Sequence, residues 1–110
     1  RSDGAINEVV IERKRQDDLW GNQSTRPLFE RLSVLMEEVG ELAEAVNETC
    51  FDNPAHPDRG GVAAIQREAV HVAAVAVSII EAVTRQQTRP AEVKFGTGDY
   101  WTAGGGALRI

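Results

Sequence analysis

The sequence is poor in cysteine and in aromatic residues, and each shortage narrows the class of protein. Cys50 is the only cysteine among 110 residues, so an intrachain disulfide is impossible and a reducing compartment is the simpler expectation. Aromatic residues make up 5% of the chain, although 42% of it is hydrophobic. Alanine, valine, leucine and isoleucine must therefore fill the core, which suits closely packed helices.

Basic charge is also scarce. Twelve basic side chains stand against seventeen acidic ones, for a formal net charge of -5. A general nucleic-acid-binding protein needs a basic face that neutralises phosphates, so we expect no nucleic-acid partner. A small anionic substrate stays compatible with this charge, because bound metal ions reverse the local field.

Long apolar runs are absent as well. No stretch reaches the roughly 18 consecutive apolar residues of a membrane span, and no charged segment followed by an apolar one opens the chain as a signal peptide would. We therefore expect no membrane partner and a cytoplasmic location. A chain of 110 residues has enough material for one domain.

Three stretches with helical periodicity are present. The first is expected over about 5–19. The second begins near Pro27, since proline is tolerated in a first turn, and its apolar residues follow steps of four and three from Leu28 to Val46. A loop is expected over 51–61, which contains Pro54, Pro57 and a glycine pair.

The third helix, expected over about 62–87, is apolar around most of its circumference, the pattern of a buried helix. Its polar residues share one arc of about 140° when residues are placed in 100° steps. They are Arg67, Glu68, His71, Ser78, Glu81 and Arg85. Burying so apolar a helix in so small a protein suggests that a second subunit contributes helices.

The predicted fold is therefore all-α, an antiparallel bundle of about three main helices that is completed by oligomerisation into a homodimer or homotetramer. The helical domain is expected over 1–89. Residues 90–110 are expected to form a glycine-rich, non-helical tail or arm, because glycine disfavours helix.

Carboxylates on the second and third helices have the spacing of a metal site. Glu38 and Glu41 lie three residues apart at the edge of the leucine stripe, and residues at this spacing are neighbours on a helix. Two carboxylates so placed repel each other unless a cation lies between them, and oxygen ligands suit Mg²⁺. Glu68 and His71 repeat the spacing on the third helix, which predicts a metal site between facing helices of the bundle.

A structural interpretation of the same residues stays open. Glutamates crowd exposed helix faces, and Glu68 could pair with Arg67 or with a basic residue of the first helix. A hydrogen-bonded core histidine is the more frequent role for a residue such as His71. In either case a buried charge requires a partner, because an unpaired one costs several kcal/mol.

Three short motifs follow one another along the chain. Residues 12–16 read Glu-Arg-Lys-Arg-Gln and are followed by Trp20-Gly21, residues 37–45 read Glu-Glu-Val-Gly-Glu-Leu-Ala-Glu-Ala, and residues 68–71 read Glu-Ala-Val-His. In order and spacing, over roughly 9–83, they resemble the MazG-like and dimeric dUTPase-like superfamily of all-α nucleotide pyrophosphohydrolases. The amino-terminal motif resembles the E-R-x-R-Q…W-G opening of its small phage-type and mobile-element members. The motif at 37–45 is similar to the E-E-x-x-E signature, and the one at 68–71 stands where the family has E-x-x-D.

The resemblance implies Mg²⁺-dependent hydrolysis of a nucleoside triphosphate, often a deoxynucleotide or a damaged one, to monophosphate and pyrophosphate. It makes Glu38, Glu41 and Glu68 metal ligands, with His71 in the place of an aspartate. It makes Glu37 a further ligand or the base that orients the attacking water. Because imidazole suits Mn²⁺ or a later transition metal better than Mg²⁺, the histidine also leaves open an altered metal preference or a reduced turnover.

For the substrate, Gln16 and Trp20 lie four residues apart and offer an amide beside a stacking surface for a base; the alternative is that Trp20 plugs the core at a helix end. Arg13 is a candidate phosphate ligand, because the planar guanidinium fits phosphate oxygens. Nearby basic residues in the same helix and in the central loop could also reach phosphates: Lys14, Arg15, His56 and Arg59. The competing hypothesis is a non-catalytic helical interaction or nucleotide-binding module that associates through the third helix.

Overall fold

The computed structural model is built from three long helices. It describes residues 2–21 and 26–88. Helix α1 spans Ser2–Trp20, α2 spans Leu28–Cys50 and α3 spans Val62–Thr88, and a short 3₁₀ helix spans Pro57–Arg59. No strand occurs within these described ranges, so the predicted all-α class is confirmed. The predicted tail and the domain boundary before residue 90 lie outside the described residues.

Glycines mark two of the helix ends. Helix α1 includes Trp20 and stops at Gly21, whose φ of 70° lies in the left-handed region that favours glycine. The N–H of Gly21 donates to the carbonyl of Asp17 at 2.9 Å and closes the last turn. Gly61, with φ 105°, immediately precedes α3. At the start of α2, Pro27 is extended, with φ -60° and ψ 147°, and serves as the N-cap.

The loop between α2 and α3 is held by the end of α2. The N–H of Gly61 donates to Thr49 Oγ1 at 2.6 Å, and the N–H of His56 donates to Glu48 Oε2 at 2.9 Å. At Gly60 a Cβ would lie 2.9 Å from the backbone carbon of Glu48, so only glycine fits there without a shift. These contacts fix α2 and α3 as an antiparallel hairpin.

Arg59 is part of the same support, because its Nη1 lies 3.0 Å from Glu44 Oε2. Arg59 and His56 were candidate phosphate ligands on the sequence pattern. The structure instead engages the Arg59 guanidinium and the His56 backbone with glutamates of α2, at the end of the hairpin that carries the loop.

Helix α3 lies at the centre and packs against both α1 and α2. The buried apolar residues in the described part of the chain are small: Ala45, Ala64, Ala74, Val75 and Ala82. Alanines at a helix interface let the backbones approach closely, as the composition predicts. No large side chain is fully buried among the described residues. The prediction that α3 is buried around most of its circumference does not hold within one chain, because Val62 and Ile80 are largely exposed.

Among the described residues, α3 is the one helix with the length and composition to cross a membrane, since an 18-residue window within Val62–Arg85 has a mean hydropathy of 1.4. A buried core helix can have the same composition, but only 22% of this window is buried inside the described chain. Two of its polar residues contact other helices: His71 lies beside Glu38 of α2, and Glu81 pairs with Arg13 of α1. These two residues of the polar strip therefore face neighbouring helices.

Candidate metal centre and adjoining cleft

The α2–α3 hairpin brings three potential metal ligands together. Glu38 comes from α2, and Glu68 and His71 lie one turn apart on α3. One ligand atom from each lies within 4.8 Å of the other two. His71 Nδ1 is 3.4 Å from Glu38 Oε2 and 3.3 Å from Glu68 Oε1. We call these three residues the hairpin cluster.

A fourth carboxylate, which the sequence analysis did not assign, comes from α1. Glu12 Oε2 lies 3.7 Å from His71 Nε2, and the side chain is only 10% exposed. Arg15 pairs with Glu12 through both oxygens, at 2.8 and 2.7 Å. The signal that could have identified Glu12 is its position on the same face of α1 as Val9 and Gln16, three and four residues away. The motif at residues 12–16 therefore contributes to this site through its glutamate as well.

The electrostatics around Glu38 favour a cation. Burial raises the pKa of the Glu38 carboxyl, and the charges of Glu41, Glu68 and Glu12 raise it further, while His71 lowers it. Glu38 Oε2 is buried and accepts no hydrogen bond from the described residues. A buried acceptor without a donor costs free energy, and a metal ion at this oxygen removes that cost.

The pKa of Glu12 is shifted in the opposite direction from that of Glu38. The hydrogen bond from Arg15 lowers the pKa of the Glu12 carboxyl, against the raising effect of burial, and the charge of His71 lowers it further. Glu12 is therefore a stable carboxylate that already has a cationic partner. Glu38 Oε2, in contrast, accepts no hydrogen bond from the described residues, which makes Glu38 the carboxylate of this region that a metal ion would neutralise.

The spacing of the hairpin cluster fits a small divalent cation. Ligands about 2.1 Å from an octahedral Mg²⁺ lie about 3.0 Å apart when adjacent and about 4.2 Å apart when opposite. The separations of 3.3 and 3.4 Å that His71 Nδ1 makes with the two carboxylates are close to the adjacent spacing. Two carboxylates and one imidazole form a donor set that accommodates Mg²⁺ and suits Mn²⁺ better.

The same geometry also fits a protonated His71. As an imidazolium it would donate from Nδ1 to Glu68 and present Nε2 to Glu12 at 3.7 Å. The ring would then supply the positive charge that the carboxylates require. His71 therefore has two structural roles available, as a neutral metal ligand or as the cation of a metal-free cluster. Glu68 also has the partner that the structural interpretation assigned to it, since Arg67 Nε lies 3.3 Å from its Oε2.

The other two glutamates of the E-E-x-x-E pattern on α2, Glu37 and Glu41, lie outside the hairpin cluster. Glu41 is exposed and does not belong to the group of ligand atoms within 4.8 Å of one another, so its assignment as a ligand is not supported by the geometry. Three residues along a helix rotate a side chain by about 60° from its neighbour, which turns Glu41 to solvent while Glu38 faces α3. Glu37 is also exposed and lines the adjoining cleft.

This cleft, of about 300 Å³, shares Glu38 with the hairpin cluster. The three residues predicted to bind substrate, Arg13, Gln16 and Trp20, all line it. Because α1 extends to Trp20, this residue and Gln16 lie on one face. Trp20 is 47% exposed, so in this chain it is not a plug of the core and its ring is accessible.

Gln16 has a different role from the one expected. It is 2% exposed, and both ends of its amide are engaged. Its Oε1 accepts from Arg13 Nη1 at 3.1 Å, and its Nε2 donates to Glu12 Oε2 at 3.3 Å. The side chain therefore connects the cleft wall to Glu12 and positions Arg13 and Glu12. Because it is buried, its amide has little access to a base.

The cleft has a basic wall. Arg13 is held by Glu81 at 2.6 Å and by Asp17 at 3.1 Å; burial lowers its pKa, but the hydrogen bonds and charges of these two carboxylates outweigh burial and raise it. Arg31, which the sequence analysis missed, is 4% exposed and lines the same cleft. Its position between Leu28 and Leu35 on the apolar face was the available signal.

Burial lowers the pKa of the Arg31 guanidinium, and so do the nearby charges of Arg85, Arg26 and Arg13. These guanidinium groups contribute positive charge near this wall of the cleft, although Arg13 is paired with Glu81 and Asp17. Phosphate oxygens are anionic groups that guanidinium recognises well.

Another groove, of about 350 Å³, reaches Glu12 and His71 from the other side of α1. The two openings together leave the carboxylates accessible to small ions.

Comparison with known proteins identifies no relative of this chain, since no protein family, no curated protein and no solved structure matches it.

Proposed function

We propose that this protein is a divalent-metal-dependent hydrolase of nucleoside triphosphates that releases the nucleoside monophosphate and pyrophosphate. The observation that carries the proposal is the position of Glu38, which belongs both to the hairpin cluster and to a cleft with an accessible tryptophan and a basic wall. A candidate metal-binding group that borders a cleft with a basic wall would supply the two parts that phosphoryl chemistry needs. The motif resemblance to MazG-like enzymes supports the same activity.

Glu38, Glu68 and His71 would hold the metal. When bound, the ion supplies neutralisation of phosphate charge and Lewis-acid activation in the cleft. Glu12, which Arg15 holds, lies 3.7 Å from the other ring nitrogen of His71, on the side from which a carboxylate orients a histidine ligand. Glu37, exposed at the cleft beside Glu38, orients the attacking water and accepts its proton.

The substrate would lie along the cleft. The half-exposed ring of Trp20 stacks on the base, and Arg13 and Arg31 face the phosphates. A stacked ring reads every base similarly, which supports a broad range of nucleotides more than one specific base. The proposed pyrophosphohydrolase therefore acts on canonical and modified nucleotides, in keeping with removal of non-standard ones.

The test is release of pyrophosphate from a panel of canonical and modified NTPs and dNTPs, with Mg²⁺ and with Mn²⁺. Glu37→Gln and Glu38→Gln should each abolish turnover. Asp18→Asn is the matched control, because Asp18 is an exposed carboxylate of α1 that lines neither groove. No release by the wild-type chain with either metal would refute the enzymatic proposal.

A specific observation favours another candidate, a non-catalytic nucleotide-binding or interaction module. The imidazolium form of His71 can neutralise the cluster without any metal, since its two nitrogens lie near three carboxylates. This candidate predicts nucleotide binding that EDTA does not affect. The enzymatic proposal predicts binding that EDTA abolishes, so titration of a non-hydrolysable triphosphate with and without EDTA separates the two.

A further inference from the structure

Gln16 is the most buried residue of α1, with 2% of its surface exposed. The helix buries one other side chain, that of Glu12, and both buried residues are polar. The large apolar residues Ile6, Val10 and Ile11 of the same helix are 59% to 60% exposed. Burying an amide costs free energy unless its hydrogen bonds to water are replaced, so packing alone gives no reason for glutamine at this position.

The partners of Gln16 determine which way its amide points. The guanidinium of Arg13 can only donate, and the ionised carboxylate of Glu12 can only accept. The amide oxygen therefore lies against Arg13, at 3.1 Å, and the amide nitrogen lies against Glu12, at 3.3 Å. Among unbranched side chains of similar length, ionised glutamate offers only acceptors, lysine only donors and methionine a weak acceptor. Of these, only glutamine supplies one acceptor and one donor to this pair.

The Glu12 oxygen that Gln16 holds is the one that lies near the hairpin cluster. Glu12 Oε2 accepts from Gln16 Nε2 at 3.3 Å and from Arg15 Nη2 at 2.7 Å. The same oxygen lies 3.7 Å from His71 Nε2, which is slightly longer than a hydrogen bond. A small rotation of the carboxylate thus decides whether it faces the ring. Because the Arg15 side chain is 52% exposed, the buried support of this carboxylate comes from Gln16.

We propose that Gln16 is a positioning residue of the metal centre, which keeps the Glu12 carboxylate turned toward His71 while it keeps the Arg13 guanidinium on the wall of the cleft. The inference rests on the proposed metal-dependent function and adds the residue that joins its two parts. Gln16 acts on the metal through Glu12 and His71, since its amide groups bind Arg13 and Glu12.

This role differs from the expectation that the Gln16 amide reads a base. A residue that reads a base alters the preference among nucleotides and leaves metal binding unchanged. A positioning residue lowers the affinity for metal in the absence of any nucleotide, and it lowers the turnover of every base to the same extent.

The experiment is calorimetric titration of Mn²⁺ against the full chain without nucleotide. Gln16→Met keeps the length of the side chain and removes both hydrogen bonds, and it should weaken Mn²⁺ binding by about 3- to 10-fold. The loss is small because a residue that contacts a metal ligand directly contributes about 10- to 100-fold, and Gln16 acts one contact further away. Gln66→Met is the matched control, because Gln66 is exposed on α3; it should bind Mn²⁺ as the wild type does. Gln16→Asn has an amide too short to reach both partners and gives the same test if urea unfolding shows that Gln16→Met does not fold.

A double-mutant cycle separates positioning from a general loss of stability. If Gln16 acts through Glu12, then adding Gln16→Met to Glu12→Gln should cause little further loss of Mn²⁺ affinity. A merely structural role would give the same loss in both backgrounds. Turnover provides another readout, since at saturating Mn²⁺ the kcat/KM of Gln16→Met should change by the same factor for dATP, dGTP, dCTP and dTTP.

The outcomes distinguish this inference from the proposed hydrolase activity. Unchanged Mn²⁺ affinity in Gln16→Met, equal losses in the two backgrounds, or a change confined to one base would each overturn the positioning role and leave the metal centre in place. A wild type that binds Mn²⁺ but releases no pyrophosphate would overturn the hydrolase and not the role of Gln16, because the titration needs no turnover. A wild type that binds no Mn²⁺ would overturn both.

Discussion

The sharpest test of the site compares two glutamates that the sequence motif treats alike. Glu38→Gln and Glu41→Gln each remove one negative charge from α2 and keep the size of the side chain. In the structure Glu38 lies against His71 and Glu68, whereas Glu41 is exposed and outside the hairpin cluster. We therefore expect very different effects on the affinity for Mn²⁺.

The expected loss of Mn²⁺ affinity in Glu41→Gln follows from Coulomb's law. A divalent ion and a unit charge about 6 Å apart in water at 0.15 M salt attract each other by an amount equivalent to about a threefold change in affinity. Glu38 would contact the ion at about 2.1 Å in a less polar environment. Loss of even a residue that only supports a metal ligand costs about 10- to 100-fold in affinity, so loss of Glu38 itself should cost at least about 100-fold.

The assay is calorimetric titration of Mn²⁺, with unfolding in urea as a control for folding. Without metal, burial raises the pKa of Glu38, so its ionised form disfavours the folded state as pH rises through that pKa. Glu38→Gln removes this effect and should be at least as stable as the wild type at pH values above that raised pKa. Equal losses of Mn²⁺ affinity in the two variants would refute the placement of Glu41. An unchanged affinity in Glu38→Gln would refute the metal centre.

Three further predictions follow from the same geometry. His71→Asp restores an oxygen ligand and should raise the affinity for Mg²⁺ relative to Mn²⁺ by about tenfold, measured by competition titration; an unchanged ratio would show that His71 is not a ligand. Glu12 has a lowered pKa, so its contribution to stability is present above its unfolded pKa and is lost as pH falls through the lowered value. Urea midpoints should therefore fall less steeply below pH 5 in Glu12→Gln than in the wild type, whereas Asp18→Asn should follow the wild type. Trp20→Ala should raise KM for a nucleotide by about 5- to 100-fold, the range of base stacking, without changing metal affinity. A change in metal affinity with an unchanged KM would contradict the placement of Trp20 against the base.

The helices could be predicted because their periodicity is long and their ends are marked by glycine or proline. The predicted spans of α2 and α3 agree with the structure to within a residue or two, and α1 starts three residues earlier than its apolar pattern indicates. The sequence could not show how much of an apolar stripe one chain covers. Leu35 and Leu42 are partly buried, whereas Leu32 and Val39 are exposed, although all four belong to one stripe.

The candidate site was partly predictable for a similar reason. Glu38, Glu68 and His71 could be identified because they are polar residues on or beside apolar helix faces. Glu12 was missed because pairing with Arg15 makes it look like one half of a surface ion pair, and its burial depends on how α1 lies on α3. Residue spacing along α2 alone could not separate Glu41 from Glu38, since a rotation of about 60° decides which of them faces α3.

The candidate metal ligands and the wall of the cleft lie on different helices, which affects how the site could change by substitution. Glu38, Glu68 and His71 all belong to the hairpin, which the 51–61 loop fixes from one end. Trp20 and Arg13 belong to α1, which packs mainly on α3 and lies outside the hairpin. Substitutions along α1 can therefore remodel the wall that a ligand meets while the three ligand-bearing positions keep their register, so that new specificities can arise from a single segment of about twenty residues.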